Sequence, residues 1–190
     1  MKLLPDTSHN GPCWIVVLAM ACSPLLFTNV AVAASTANSP QSAQAACTFD
    51  DGKQLSIWYT RAPATEKKLP FGKIWTPAGS PMILFTNTAL LLGNSQVPVG
   101  AYSMFAIPAK NDWTLIVNRD VTPGAKYDEH QDVARAPMEI GALEQPQPTS
   151  ISFSHSAPGQ CNMRIYRGSV GTWIEFKEKV NTTSRLTNPY

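Results

Sequence analysis

Residues 101–118 read AYSMFAIPAKNDWTLIVN. Two β-rich runs, Ala101 to Ile107 and Trp113 to Asn118, flank Pro108-Ala109-Lys110-Asn111-Asp112. Aromatic and β-branched side chains suit a pleated, half-buried surface, whereas Pro, Asn and Asp suit a turn. The stretch predicts a β-hairpin. The same grammar continues on both sides. Upstream, Leu55, Ile57 and Tyr59 alternate with Ser56, Trp58 and Thr60, the period of a half-buried strand. Met82 to Thr86 and Ala89 to Leu92 are short apolar runs, the second closed by Gly93-Asn94. Downstream, Val133 to Ile140, Ser150 to His155, Cys161 to Tyr166 and Thr172 to Phe176 read as strands. Pro137 cannot donate to a ladder, which puts its strand at an edge or a bulge. Gln145-Pro146-Gln147-Pro148 reads as a stiff connector, and Arg167-Gly168-Ser169-Val170-Gly171 as a hairpin loop.

About eight or nine short strands with turn signals roughly every 8 to 12 residues predict an all-β fold. The expected architecture is an antiparallel β-sandwich, jelly-roll-like or a partly closed barrel. No segment carries a sustained 3.6-residue stripe, and 16 prolines oppose a helical protein. Only the polar stretch Tyr127 to Asp132 has room for one helical turn.

The amino terminus has a different composition. Lys2 gives a positive start, an apolar stretch runs from Cys13 to Val32, and Ala31-Val32-Ala33-Ala34-Ser35 supplies small residues at signal-peptidase spacing. These are the three parts of a secretory signal, with cleavage expected after Ala33 or Ala34. Pro24 and its polar neighbours leave no clean run of ~18 to 20 apolar residues for a permanent span. A lipid anchor at Cys22 is the alternative, but Ala19 stands where a lipoprotein signal usually has Leu. The expected organisation is a signal peptide over 1–34, a disordered leader over 35–46, a β-domain over 47–180 and a flexible tail over 181–190. Asn181-Thr182-Thr183 in that tail is a glycosylation sequon, meaningful in a eukaryotic secretory route.

The mature chain has the length of one domain, enough to bury ~70% of its unfolded surface. Removing Lys2 and Asp6 with the signal leaves 14 basic against 12 acidic residues. The basic residues form no block that would neutralise phosphates, so nucleic acid is not an expected partner. Cys13 and Cys22 leave with the signal, and two cysteines in an oxidising compartment most simply pair, here as Cys47–Cys161. A redox or metal-binding thiol pair is the competing reading. It lacks a C-x-x-C spacing and has only His130 and His155 as imidazoles, so no metal or cofactor is expected.

No nucleophile elbow, H-E-x-x-H, P-loop or dinucleotide fingerprint is present. Two weaker constellations remain. Lys73 and Trp75 alternate within PFGKIWTPAGSP (residues 70–81), so an extended chain would point both into one pocket for an anionic or carbohydrate ligand. Trp75 plugging the core while Lys73 reaches water is the plainer reading. Tyr127-Asp128-Glu129-His130-Gln131-Asp132, with Arg135 beyond, offers metal-binding or acid–base groups. A solvated loop with an Asp132–Arg135 ion pair is the plainer reading there. Ser103, flanked by Tyr102 and Met104 inside a strand, is a poor nucleophile without a base nearby.

Taken in order, PFGKIWTPAGSP, VPVGAYSMFAIP, WTLIVNRD and YDEHQDVARAPM resemble the bacterial domain-of-unknown-function family 2911. CNMRIYRGSVGTWIEFKEK and the CTFDDGK that begins at Cys47 are similar to one branch of it. The resemblance covers about Cys47 to Lys179. Many members have R-T-G-A-N-E where this chain has Thr76 to Pro81, so an Arg and a Glu are missing from that loop. What the resemblance implies is an exported bacterial β-domain with no established activity; it supports the sandwich and the Cys47–Cys161 pair and transfers no catalytic residue.

The leading expectation is therefore an exported, periplasmic or secreted module that binds a small-molecule or envelope partner. Lys73, Trp75 and Tyr102 are expected to line its pocket, with Tyr127, Asp128 and Arg135 at the rim. The rivals are a small hydrolase or lyase using Asp128, Glu129, His130 and Glu139, and a self-associating structural envelope protein. For the hydrolase, some of those four groups must converge in one cleft.

Overall fold

The computed structural model describes residues 41–62 and 68–180. The predicted signal with Cys22, residues 35–40 of the leader, residues 63–67 and the tail with its sequon lie outside the described residues.

Nine antiparallel strands form: β1 (Gln41–Thr48), β2 (Gln54–Arg61), β3 (Met82–Thr86), β4 (Leu90–Leu92), β5 (Ser95–Val97), β6 (Gly100–Pro108), β7 (Trp113–Asn118), β8 (Asp132–Ala157) and β9 (Gln160–Glu178). Their order is β1-β2-β3-β6-β7-β8-β9-β4-β5, an all-β ladder that is not closed on itself. Short 3-10 turns at Pro77–Gly79 and Glu129–Gln131 are the helical elements among the described residues, the second where the sequence leaves room for one. No helix among them is long and apolar enough to cross a membrane.

Period-two alternation explains the packing. Register aligns Ile57, Leu84, Tyr102, and, on the next strands, Val117 with Ala134, so one side chain per pair turns inward on every strand. The inward residues of β1–β3, β6 and β7 share one core with Ile151, Met163, Ile165, Ile174 and Phe176 from β8 and β9. Two faces thus wrap a single apolar interior, the sandwich-like arrangement that the pattern predicts.

Three expectations change. The ladder begins at Gln41, inside the predicted disordered leader: Gln41 to Ala46 pair with Ser56 to Arg61. Ala43, Ala45 and Cys47 alternate inward, and side chains this small fill the space there, so the apolar signal is faint. The predicted connector at Gln145–Pro148 does not interrupt β8, and the predicted hairpin loop at Arg167–Gly171 does not interrupt β9. The two segments lie opposite each other, with Ala142 paired to Val170 and Gln147 to Gly168, and the register shifts on both sides of Gln147. Prolines lack a ladder donor, and Gly168 adopts φ +55°. Facing each other, these residues bend a continuous two-stranded ribbon as a bulge. The hairpin turn joining β8 to β9 is at Pro158-Gly159 instead. Pro137 fits its predicted edge character, because β8 up to Met138 pairs with β7 and meets β9 only from Glu139.

Cys47 and Cys161 form a disulfide with Cα atoms 6.3 Å apart, joining β1 to β9 across 114 residues.

Candidate functional site

Ile83, Ser103, Asn118 and Asp132 stand in one row across β3, β6, β7 and β8, with Phe105 and Ile116 paired in the row beside them. Alternation turns these residues away from the main core. Four of them are nonetheless buried: Ser103, Phe105, Ile116 and Asn118. Residues 119–131 fold back over this outer face, and the Tyr127 ring meets Phe105 edge-on at 5.0 Å.

Asn118 pins that segment through both ends of its amide. Its Nδ2 donates to the Asp128 carbonyl and to Asp132 Oδ1, each at 2.8 Å, and its Oδ1 accepts from the Asp120 amide at 2.9 Å. The Arg119 amide donates to the Gln131 carbonyl at 2.9 Å and closes the base of the loop. Asp132 Oδ2 accepts from Tyr127 Oη and from Arg135 Nε, each at 2.7 Å, and Arg135 Nη2 donates to Tyr127 Oη. The predicted Asp132–Arg135 ion pair is present. So many fixed contacts hold the loop in one shape before any ligand arrives.

Between loop and sheet lies a cavity of about 290 Å³. Ile83, Phe105, Val121 and Pro123 supply apolar walls, while Ser103, Asp120, Lys126 and Tyr127 supply polar groups. The Ser103 side chain is 2% exposed, and its Oγ has no hydrogen-bond partner. A buried hydroxyl without a partner loses its water and gains nothing in return, which asks for a further explanation. With no base hydrogen-bonded to it, this hydroxyl is not an activated nucleophile.

Electrostatics follow from the same contacts. Hydrogen bonds from Thr122 hold the Asp120 carboxyl below its ordinary range, so it is ionised at the rim. Burial, then the hydrogen bond to Asp132 and its charge, push the Tyr127 phenol from 10.0 up to about 12. Because the folded value is the higher one, the neutral phenol's contribution to stability is complete below pH 10.0 and is lost as pH rises toward 12. Ultraviolet titration of the tyrosines should contain a late component near 12 that Tyr127→Phe removes. The same substitution should cost about 1 kcal/mol at neutral pH, measured by urea unfolding. If the late component survives in the variant, it belongs to another tyrosine.

The sequence-derived groups separate into two sets. Tyr127 lines the cavity; Arg135 braces it through Asp132, and Asp128 caps the 3-10 turn by accepting from the His130 amide at 3.0 Å. Lys73, Trp75 and Tyr102 do not line this cavity. A turn at Phe71–Lys73, closed by the Lys73 amide on the Pro70 carbonyl, breaks the extended geometry that would align Lys73 with Trp75. Lys73 is exposed, while Trp75 pairs its backbone with Ala106 and packs edge-on against Trp113 in the core, 5.4 Å between centroids. Tyr102 faces the core beside Leu84, its Oη donating to the Pro98 carbonyl. Asp120, Thr122 and Lys126 escape sequence reading because residues 119–126 have no periodicity. Ser103 carries a signal in retrospect: it is a hydroxyl at an outward position between core-facing Tyr102 and Met104.

The carboxylates of the hydrolase reading do not converge. Asp128, Glu129 and His130 are exposed, and Glu139 accepts from Trp173 Nε1 on the other half of the ladder. His155 Nε2 lies 3.8 Å from Cys47 Sγ, close to both cysteine sulfurs. Those sulfurs are bonded to each other, so they present no thiolate to a metal in this state.

A family model described as "Protein of unknown function (DUF2911)" matches residues 39–176. The chain belongs to the DUF2911 family. The matched stretch opens just before β1 and closes at Phe176 in β9, so this DUF2911 domain contains both cysteines and the whole outer-face cavity. Comparison with curated proteins and with solved structures gives no match.

Proposed function

We propose that this DUF2911 domain is an exported, non-catalytic binding module whose outer-face cavity takes a small amphipathic molecule. The unpartnered Ser103 hydroxyl at the cavity wall carries the reading. An apolar ligand body would lie against Phe105 and Val121, and a polar head would exchange a hydrogen bond with Ser103, with Asp120 and Lys126 at the entrance. The pinned loop favours binding because little has to be ordered when the ligand enters. Export is supported by the signal-like residues 1–34 and by a disulfide of the kind that persists in oxidising compartments.

Ligand-observed NMR against a library of small amphipathic fragments tests the reading. Fragments should bind the native protein, and Ser103→Val, which replaces the hydroxyl by one methyl and adds a second, should weaken them about tenfold. Ser103→Ala should leave stability unchanged or raise it by up to ~1 kcal/mol, because no protein hydrogen bond is lost. A screen with no fragment in this cavity, or equal binding by Ser103→Val, overturns the proposal.

A further inference from the structure

A second concavity lies on the other half of the ladder, where β8 and β9 bend together. Gly141 and Gly171 face each other there in register. Neither has a positive φ, so the backbone does not require glycine at either position. What each glycine keeps open is space. A Cβ on Gly141 would stand 3.0 Å from the Trp173 ring, and one on Gly171 would stand 3.3 Å from Leu143 and 3.6 Å from the Tyr166 ring. Without a carbon at Gly141 the indole lies close against the strand backbone, while at Gly171 the tight neighbour is the end of Leu143 and the Tyr166 ring sits at ordinary contact distance. Trp173 is then locked by donating from Nε1 to Glu139 Oε2 at 2.7 Å. Asn162 and Arg164 complete an open cleft of about 440 Å³, with Arg164 Nε 3.4 Å from Asn162 Oδ1.

We propose that this cleft is a carbohydrate-binding site for a neutral saccharide. A pyranose has a face of C–H bonds that stacks on a flat aromatic ring, and a rim of hydroxyls that needs both donors and acceptors. Trp173 and Tyr166 provide the rings, Arg164 and Asn162 the donors, and Asn162 Oδ1 the acceptor. The Arg164 guanidinium lines the cleft, while Glu139, outside the lining, holds the Trp173 indole, so an anionic ligand gains from one and is repelled by the other. A neutral polyol uses the guanidinium and carries no charge for Glu139 to repel. The cleft shares no residue with the outer-face cavity, so the two proposals stand or fall separately.

Calorimetric titration of the mature protein with cellotriose and with N-acetylchitotriose is the test, paired with the NMR signal of the Trp173 indole N–H. At least one of the two should bind and shift that signal. Arg164→Ala, an exposed change that leaves the fold intact, should weaken binding by about tenfold. Gly141→Val, checked for folding by circular dichroism, should abolish it, and Ser103→Val should leave it unchanged. The proposal is overturned if neither sugar binds at ~10 mM, or if binding is indifferent to both cleft substitutions. Tighter binding of a trigalacturonate than of the neutral sugars would overturn the charge assignment.

Discussion

Reduction of the Cys47–Cys161 disulfide, or its replacement by a pair of alanines, is expected to lower the unfolding free energy by about 4 to 5 kcal/mol. The bond closes a loop with a sequence separation of 114, and in the chain-entropy model that loop restricts the unfolded chain far more than a short one would. It also joins strands that are far apart in the ladder. β1 is an edge strand whose one hydrogen-bonded neighbour is β2, whereas β9 lies beyond β3, β6, β7 and β8. The covalent link therefore fastens one end of the first face to the second face. Both cysteines are buried, Cys47 at 4% and Cys161 at 0% exposure, so the alanine pair also forfeits packing. Domains of this size are stable by only ~5 to 15 kcal/mol, and such a loss takes a large share of that. Urea unfolding with and without a reductant measures it. A change under ~1 kcal/mol would mean that the ladder alone holds β1 in place.

Trp113→Ala is expected to cost about 3 to 5 kcal/mol. Trp113 opens β7 at 1% exposure, its ring fills the core against Trp75, and the Arg167 guanidinium lies over the Trp75 ring at 5.5 Å. Truncation leaves a cavity in the packed core that the surrounding structure fills only in part. The indole Nε1 has no hydrogen-bond partner, so the loss is one of packing. Trp113→Phe keeps much of the ring and removes an unsatisfied donor, and should cost less than half as much. Trp58→Ala, at a site 47% exposed, should stay within ~0.5 kcal/mol. Equal costs for the Phe and Ala variants at Trp113 would contradict the packing account. Chemical denaturation of all three decides it.

Local pattern carried the reading where one strand's alternation sufficed. The hairpin read at 101–107 and 113–118 is β6 and β7 within a residue or so, and Leu55 to Thr60 lies inside β2. The pattern misleads where a residue type has two uses. Pro146, Pro148 and Gly168 are turn formers in isolation; opposite one another on paired strands they bend a ribbon that continues. Trp75 is a pocket aromatic or a core plug according to whether the chain at Phe71–Lys73 stays extended or turns. The site shows the same division. Tyr127 and Arg135 stand out in a charged cluster, but nothing local announces that the outward side chain of Ser103 is buried beneath residues 119–131.

By itself the sequence determined the all-β class, the hairpin at the centre of the ladder, the family and the cysteine pair, because alternation, turn chemistry and cysteine count are local or countable properties. Tertiary structure decided that β8 and β9 are long and bent, that the ladder begins at Gln41, and where concave surfaces form. The physical reason is that burial on an outward face, the bend of a ribbon and the space above a glycine depend on what the rest of the chain places opposite them.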